Sequence, residues 1–390
     1  VRNFVFQQPT RIIFGRGLIG LTGDEAAHAG RRIMLVSGRS SLKSLGIYQR
    51  IHTSLIAAGL EVIEFAGVRS NPLLSHVRSG IALAKAEKIE AVVAAGGGSV
   101  LDSGKAIAAG AMVNHEVWSF FKGKKSIRAA LPMVAIPTVA GSGSEVNGGM
   151  VLTNEETRRK IGIGNRHLVP AVAILDPETT FSLPREITAN GAVDAFCHLL
   201  EFYLNREEEF APLQDRYSAG LMQGIIIASG KAITKPDDYQ CRAELMWAAS
   251  LAMNGLAQAG LGRVEFPLHL IEHSISALHD VAHGAGLAAL LPGFLKLAAR
   301  KNPRRPALLA TQIFGIEKQG SERAMAFAGI ARLKEWLEKI GAPTSLAALG
   351  ISAEDLRAIA SNSTAQAGLW RLRAYPPEVV REILAASLAG

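Results

Sequence analysis

The chain has 390 residues, 48% hydrophobic and 19% charged, a balance that suits a globular protein of two or three domains with a large buried core. No apolar run approaches the roughly 18 residues of a membrane span and no basic-then-apolar leader opens the chain, so no membrane partner and a cytoplasmic location are expected. The formal charge of +8 comes from scattered basic residues, the densest cluster being KGKK at 122–125 without interleaved aromatics, which argues against a nucleic-acid partner.

Strand and helix patterns alternate through the first half. RNFVFQQPTRIIFG (2–15) reads as two short strands about a proline turn. RRIMLVSG (31–38), LEVIEFAG (60–67) and EAVVAAGGG (90–98) read as strands, with helices over 41–59, 72–88 and 99–113. Further strand patterns lie at 131–137, 148–154, 159–164 and 171–177. Continuous apolar strands alternating with helices predict a parallel sheet covered on both faces. From Pro184 onward nearly every segment has helical periodicity, and Pro184 itself suits the first turn of a helix. The expected fold is an α/β N-terminal domain with a parallel sheet, residues 1–180, followed by an all-α C-terminal domain, residues 181–390, with the boundary within 177–184. Cys197 and Cys241 make no disulfide framework and fit a reducing compartment, and Cys197 reads as packing.

Two small-residue loops follow strands. Gly96, Gly97 and Gly98 lie between a strand and a helix that begins near Ser99, where backbone N–H groups and the helix N-terminus can face an anion. The stretch is neither GxGxxG nor a P-loop: five residues separate Gly98 from Gly104, and Ala106 stands where a hydroxyl would hold magnesium. The second loop, IPTVAGSGSE (136–145), offers the hydroxyls of Thr138, Ser142 and Ser144 beside Gly141 and Gly143. Two such loops at the ends of parallel strands suit a dinucleotide crevice.

Four of the ten histidines (His269, His273, His279 and His283) fall within residues 266–292. His269 and His273 are four apart and share a helix face. His283 lies fourteen residues beyond His269, about 21 Å along an unbroken helix, so a shared metal ion requires a turn between them. The segment LHDVAHG suits that turn, with Asp280 able to cap the next helix and Gly284 to loosen its start. Upstream, Asp194 and His198 are again four apart on a helical pattern and are the best candidates to complete a ligand set.

Taken together, GGGSVLDSGKAIA (96–108), NP (71–72), IPTVAGSGSE (136–145), AILDPETT (173–180), VDAFCHLLE (193–201) and the histidine segment 269–288 resemble the iron-containing, group III alcohol dehydrogenase family. The matches run in order over about residues 70–290. The histidine segment looks most like the branch of NADPH-dependent butanol dehydrogenases and broad aldehyde reductases. The resemblance implies a dehydroquinate synthase-like architecture, an N-terminal dinucleotide-binding domain and a helical metal and substrate domain with a cleft between them. It also implies a homodimer, a small alcohol/aldehyde pair as substrate, and one divalent metal, Fe²⁺ ahead of Zn²⁺. The family's ligands fall on Asp194, His198, His269 and His283. His273 matches a histidine near the nicotinamide and is a proton-relay candidate. Gly97, Gly98 and Ser99 match pyrophosphate contacts, while Asn71, Asp102, Thr138, Ser142 and Lys160 match positions lining the cofactor cleft, Asp102 being a catalytic candidate as well.

One position bears on cofactor choice. NAD-preferring members carry an Asp after the strand IMLVS, whereas this chain has Gly38 followed by Arg39, Ser40 and Ser41. Loss of a carboxylate beside a cation and hydroxyls favours a 2′-phosphate, so NADP(H) is expected over NAD(H). The chain departs from the family at Phe266-Pro267-Leu268 and at Val139, which bears on substrate specificity. The alternatives are a lyase like dehydroquinate synthase, an NAD-dependent dehydrogenase of the glycerol or lactaldehyde type, and a nucleotide-binding protein with a vestigial site.

Overall fold

The computed structural model describes residues 1–372 and 374–389, and of Ser41 and Ala365 the backbone alone. The chain forms two compact units.

One unit comprises Gln7–Leu183 and Asp237–Met246. Six strands form its sheet: β1 (Arg11–Phe14), β2 (Arg32–Gly38), β3 (Glu61–Val68), β4 (Ala91–Gly96), β5 (Met133–Pro137) and β8 (Val172–Leu175). Their order is β1-β8-β5-β4-β2-β3, and every pairing is parallel. Alternate residues feed two cores, as the pleat requires. Met34, Val36, Val92 and Ala94 pack beneath α2 (Leu74–Ala86) and α3 (Gly98–Ala111). Ile33, Leu35, Val93 and Ala95 pack on the other face against Ile51 and Leu55 of α1 (Ile47–Ala57).

The chain leaves β2 for β3 on one side and returns to β4 on the other, so the order reverses at β2. Ligands of open α/β sheets bind beyond the carboxyl ends of strands at such a reversal. The register brings the relevant ends level: Gly38 pairs with Val68, Ser37 with Ala95, and Gly96 with Pro137.

Two local expectations are corrected. Residues 1–6 form no strand; they belong with the helical unit, where the Arg2 N–H donates to Gly260 O at 2.9 Å. The helix expected over 41–59 is broken at Gly46, whose φ of 70° no helix interior tolerates, into Ser41–Ser44 and α1. The strand patterns at 148–154 and 159–164 form β6 (Gly149–Asn154) and β7 (Arg159–Gly164), which pair antiparallel as a hairpin separate from the main sheet. The connection between them is too short for a parallel crossover.

The second unit comprises Val1–Phe6, Pro184–Pro236 and Trp247–Gly390. Its central helix, α4 (Arg185–Leu204), is buried without interruption from Thr188 to Tyr203, as a helix apolar nearly all round must be. It packs against α5 (Pro212–Thr234) and, with α6 (Pro267–His279), against α7 (His283–Lys301). The helices α8 (Glu322–Ile340), α9 (Leu356–Trp370) and α10 (Pro377–Ala386) also belong to this unit. Among the described residues no helix is long and apolar enough to cross a membrane.

Candidate metal centre and cofactor loops

Three helices of the second unit converge on one carboxylate. α4 carries Asp194 and His198 one turn apart, α6 carries His269, and α7 begins at His283. The turn between α6 and α7 spans Asp280–Ala282. Asp280 stands at the end of the first helix of this pair. It takes the left-handed conformation (φ 53°) and ends α6, while Ala282 precedes α7 with no side-chain cap. A Cβ at Gly284 would fall 2.1 Å from Asn190 O. Only glycine lets the first turn of α7 approach the backbone of α4 so closely, and that approach delivers His283 to Asp194.

Asp194 Oδ1 lies 3.7 Å from His198 Nε2, 3.6 Å from His269 Nε2 and 3.5 Å from His283 Nε2. Donors about 2.1 Å from a common tetrahedral ion stand about 3.4 Å apart, so these separations suit a single cation. The ligand atoms of Asp194, His198 and His269 lie within 4.8 Å of one another and all three residues are buried. Asp194 Oδ1 and His269 Nε2 have no hydrogen-bond partner among the described residues, an expensive state for buried groups that metal ligation would relieve. Neutral imidazole is the ligating form, and burial pushes His198 down to about 3. Burial also acts downward on His269, but Glu201 and Asp194 outweigh it and hold the imidazole above its ordinary value. Burial would raise Asp194, yet the surrounding imidazoles keep its carboxyl well below the usual range. The centre therefore attracts positive charge, and an oxygen with three imidazole nitrogens is a donor set that suits Fe²⁺ or Zn²⁺.

A second close group, Glu272, His273 and His283, adjoins the first. Glu272 is engaged by His283 Nδ1 and by the Ser276 hydroxyl, so it supports a ligand of the first group. His273 lies one turn beyond His269, its ring 5.5 Å from that of His283 and 5.3 Å from Trp370, edge to face. Glu201, Glu272 and Trp370 escape a reading that searches only for ligand-type pairs. The signal for the two glutamates is a repeated H-x-x-E, His198 to Glu201 and His269 to Glu272. Cys197 is buried and free, in keeping with a packing role.

The glycine loops lie in the α/β unit. Gly97 precedes the first residue of α3, whose first-turn amides lack helical partners by construction. A Cβ at Gly98 would fall 2.7 Å from Ser142 Oγ, so the two loops pack with no room to spare. The Thr138 N–H donates to Gly96 O at 3.0 Å. Asp102, half-buried, and Lys105, buried, both on α3, tie the second loop and the hairpin down. Asp102 accepts from Ser144 Oγ at 2.7 Å and from the Val151 N–H at 2.9 Å, while Lys105 Nζ donates to Asn147 O and Gly149 O, each at 2.8 Å. Both oxygens of Asp102 are thus engaged by the fold. Burial pushes its carboxyl up, and Lys105 and Lys160 oppose this. Asn71, with φ 52°, precedes Pro72, whose carbonyl accepts the Thr153 N–H at 2.8 Å, and Lys160 pairs across the hairpin from Thr153. Asn71 and Lys160 are thereby tied to one hairpin, and both are buried.

At the end of β2, Arg39 and Ser40 are exposed, and the side chain of Ser41 lies outside the described residues. A Cβ at Gly38 would meet only Val68 O at 3.7 Å and Val100 Cγ2 at 4.0 Å, so the fold does not itself demand glycine there. Beside it a cavity of about 430 Å³ is lined by Arg39, Arg69, Ser75, His76 and Ser79 among others.

Residues 9–177 match the family of iron-containing alcohol dehydrogenases, and residues 188–388 match that family's C-terminal domain. The chain therefore belongs to the iron-containing alcohol dehydrogenase family. It is a metal-dependent, nicotinamide-dependent oxidoreductase of alcohols and aldehydes. It is 36% identical over 389 residues to the probable NADH-dependent butanol dehydrogenase 1 of Bacillus subtilis, covering 100% of each chain. It is 34% identical over 364 residues to the NADPH-dependent aldehyde reductase YqhD of Escherichia coli, covering 92% of each. Among solved structures, the NADH-dependent butanol dehydrogenase A of Thermotoga maritima matches with a TM-score of 0.95 at 42% identity, over 99% of both chains.

Proposed function

We propose that the protein interconverts aldehydes and primary alcohols with NADP(H) in preference to NAD(H), at a centre where Asp194, His198, His269 and His283 hold one divalent metal, Fe²⁺ ahead of Zn²⁺. The observation that carries the metal assignment is the single Asp194 oxygen 3.5–3.7 Å from three imidazole nitrogens. When bound, the metal supplies a Lewis acid for the alcohol or aldehyde oxygen, and the nicotinamide supplies the hydride.

The chain's own residues do the rest. The unit of Gln7–Leu183 and Asp237–Met246 acts as the dinucleotide-binding domain and the helical unit as the metal and substrate domain. Gly97, Gly98 and Ser99 offer first-turn amides to the pyrophosphate, and Asn71, Thr138, Ser142 and Lys160 line the cofactor site. His273 exchanges the substrate proton at a ring nitrogen, one helical turn from His269. Asp102 acts as a positioning residue, since Ser144 and Val151 occupy its oxygens. The buried helices around Asp194 exclude water from the reacting oxygen. We extend the reading to a cytoplasmic homodimer, supported by the family resemblance and by two buried free cysteines.

Support for NADP(H) comes from Gly38, where a side chain would fit but none is present, beside Arg39, Ser40 and Ser41 and the cavity that holds Arg69 and His76. Steady-state oxidation of NADPH and NADH should be compared with short and medium aldehydes on Fe²⁺- and Zn²⁺-loaded protein. A kcat/KM for NADPH at least about tenfold above that for NADH is expected, some 1.4 kcal/mol. Gly38→Asp should fold normally and invert the preference, because its carboxylate repels a 2′-phosphate and accepts ribose hydroxyls. Equal rates in wild type would remove the NADP(H) assignment, and no turnover with either metal would remove the reaction.

A further inference from the structure

Two carboxylates that ligate nothing stand behind the metal centre, and their arrangement is crossed. Glu201 and Glu272 are wholly buried, each three residues after a candidate ligand on its own helix, yet each serves a ligand on another helix. Glu201 of α4 engages His269 Nδ1 of α6, and its other oxygen accepts the Leu268 N–H at 2.7 Å. Glu272 of α6 engages His283 Nδ1 of α7, and its other oxygen accepts the Ser276 hydroxyl. The third imidazole lacks such support, for His198 Nδ1 has no hydrogen-bond partner among the described residues.

We propose that Glu201 and Glu272 are positioning residues that select the ligating tautomer of His269 and His283 and lock α4, α6 and α7 into the geometry of one divalent cation site, leaving His198 as the compliant ligand. The inference rests on the Asp194–histidine centre proposed above. An ionised carboxylate can only accept, so each Nδ1 must carry the proton. The Nε2 lone pairs then face Asp194 Oδ1, 3.6 Å away for His269 and 3.5 Å for His283. Partners of this kind fix ring orientation and raise ligand basicity.

Gly286 supplies the room. A Cβ there would lie 2.9 Å from Glu272 Cγ and 3.0 Å from its Oε1, the oxygen that accepts from Ser276, so a side chain crowds the carboxylate that engages His283. Gly286→Ala therefore disturbs positioning without removing a charge or touching a ligand.

The test uses full-length protein and Co²⁺ alone, with affinity measured by competition against a chelator and coordination followed by the cobalt d–d absorption. Glu201→Gln and Glu272→Gln keep the acceptor oxygen and lose the charge; each should weaken Co²⁺ binding by about tenfold with a near-native spectrum. Glu201→Leu, Glu272→Leu and Gly286→Ala lose the hydrogen bond or displace it; each should weaken binding by about a hundredfold and alter the spectrum. NADPH affinity, read by nicotinamide fluorescence, should stay unchanged in all five. If wild type binds no Co²⁺, the metal centre itself is wrong. If wild type binds and the two Gln variants match it within about twofold with identical spectra, the centre stands and the positioning role falls. A Leu variant that fails to fold leaves the isosteric Gln pair to decide.

Discussion

On the proposed assignment, the glycine loops and the Asp194–histidine centre solve recognition in opposite ways. The loops of the α/β unit present backbone amides, small side chains and hydroxyls at strand ends that the parallel register holds level, and Asp102 and Lys105 merely pin them. The metal centre presents almost no backbone: one carboxylate and three imidazoles reach it from three helices, backed by two further carboxylates. A pyrophosphate is large, and continuous chain can wrap it, so its site is a run of adjacent residues. A metal ion needs a few donors at fixed distances, which only packed side chains from separate elements supply.

If that contrast is right, damage to one region should spare the other. The largest effect is expected from His269→Ala, which removes one ligand and leaves Glu201 buried without its partner. Metal-dependent turnover should fall by more than about a thousandfold and metal stoichiometry should collapse, while NADPH affinity, measured by fluorescence titration, stays within about twofold. Retained turnover would break the metal assignment, and lost NADPH binding would break the contrast.

Gly284→Ala comes next. Its Cβ would collide with the Asn190 carbonyl, so α7 must retreat from α4, and overpacking of this kind costs about 1–3 kcal/mol. Denaturant unfolding should show that loss, with weaker metal retention and intact NADPH binding. The reciprocal experiment is Gly98→Ala, whose Cβ would press on Ser142. NADPH should bind about tenfold more weakly, roughly 1.4 kcal/mol, with full metal content by elemental analysis.

The smallest effect concerns pH. Burial pushes the Lys105 ammonium from 10.5 down to about 8, with Asp102 and Glu145 limiting the fall. Between those values the unfolded chain binds the proton that the folded chain has released, so this group's contribution to stability rises with pH across the window. Urea midpoints of wild type should therefore gain on those of Lys105→Met between about pH 8 and 10.5, a comparison that cancels the tyrosines titrating higher. A constant difference would show that Lys105 does not release its proton in the fold.

Legibility in the sequence followed the same division. The strands at 31–38, 60–67, 90–98 and 131–137 announce themselves through short, largely apolar runs, and the parallel sheet is expected because helical segments separate strands from one another. Where pairing is decided at a distance the pattern is silent or misleads. β6 and β7 read as strands without showing that they form their own hairpin, and residues 2–6 look like a strand but have no sheet to join. At Asp280 the tight turn demands a left-handed residue to close α6, which no local pattern announces.

By itself the sequence determined the alternation of elements, the glycine loops and the i, i+4 pairs Asp194/His198 and His269/His273, because periodicity and local backbone freedom are properties of contiguous residues. Only the tertiary structure decided that His283 reaches Asp194 over the bare backbone at Gly284, that Gly38 is a glycine the fold does not require, and that Glu201 and Glu272 serve histidines on neighbouring helices. Those facts depend on how helices pack and which backbones touch, distances that no local pattern encodes.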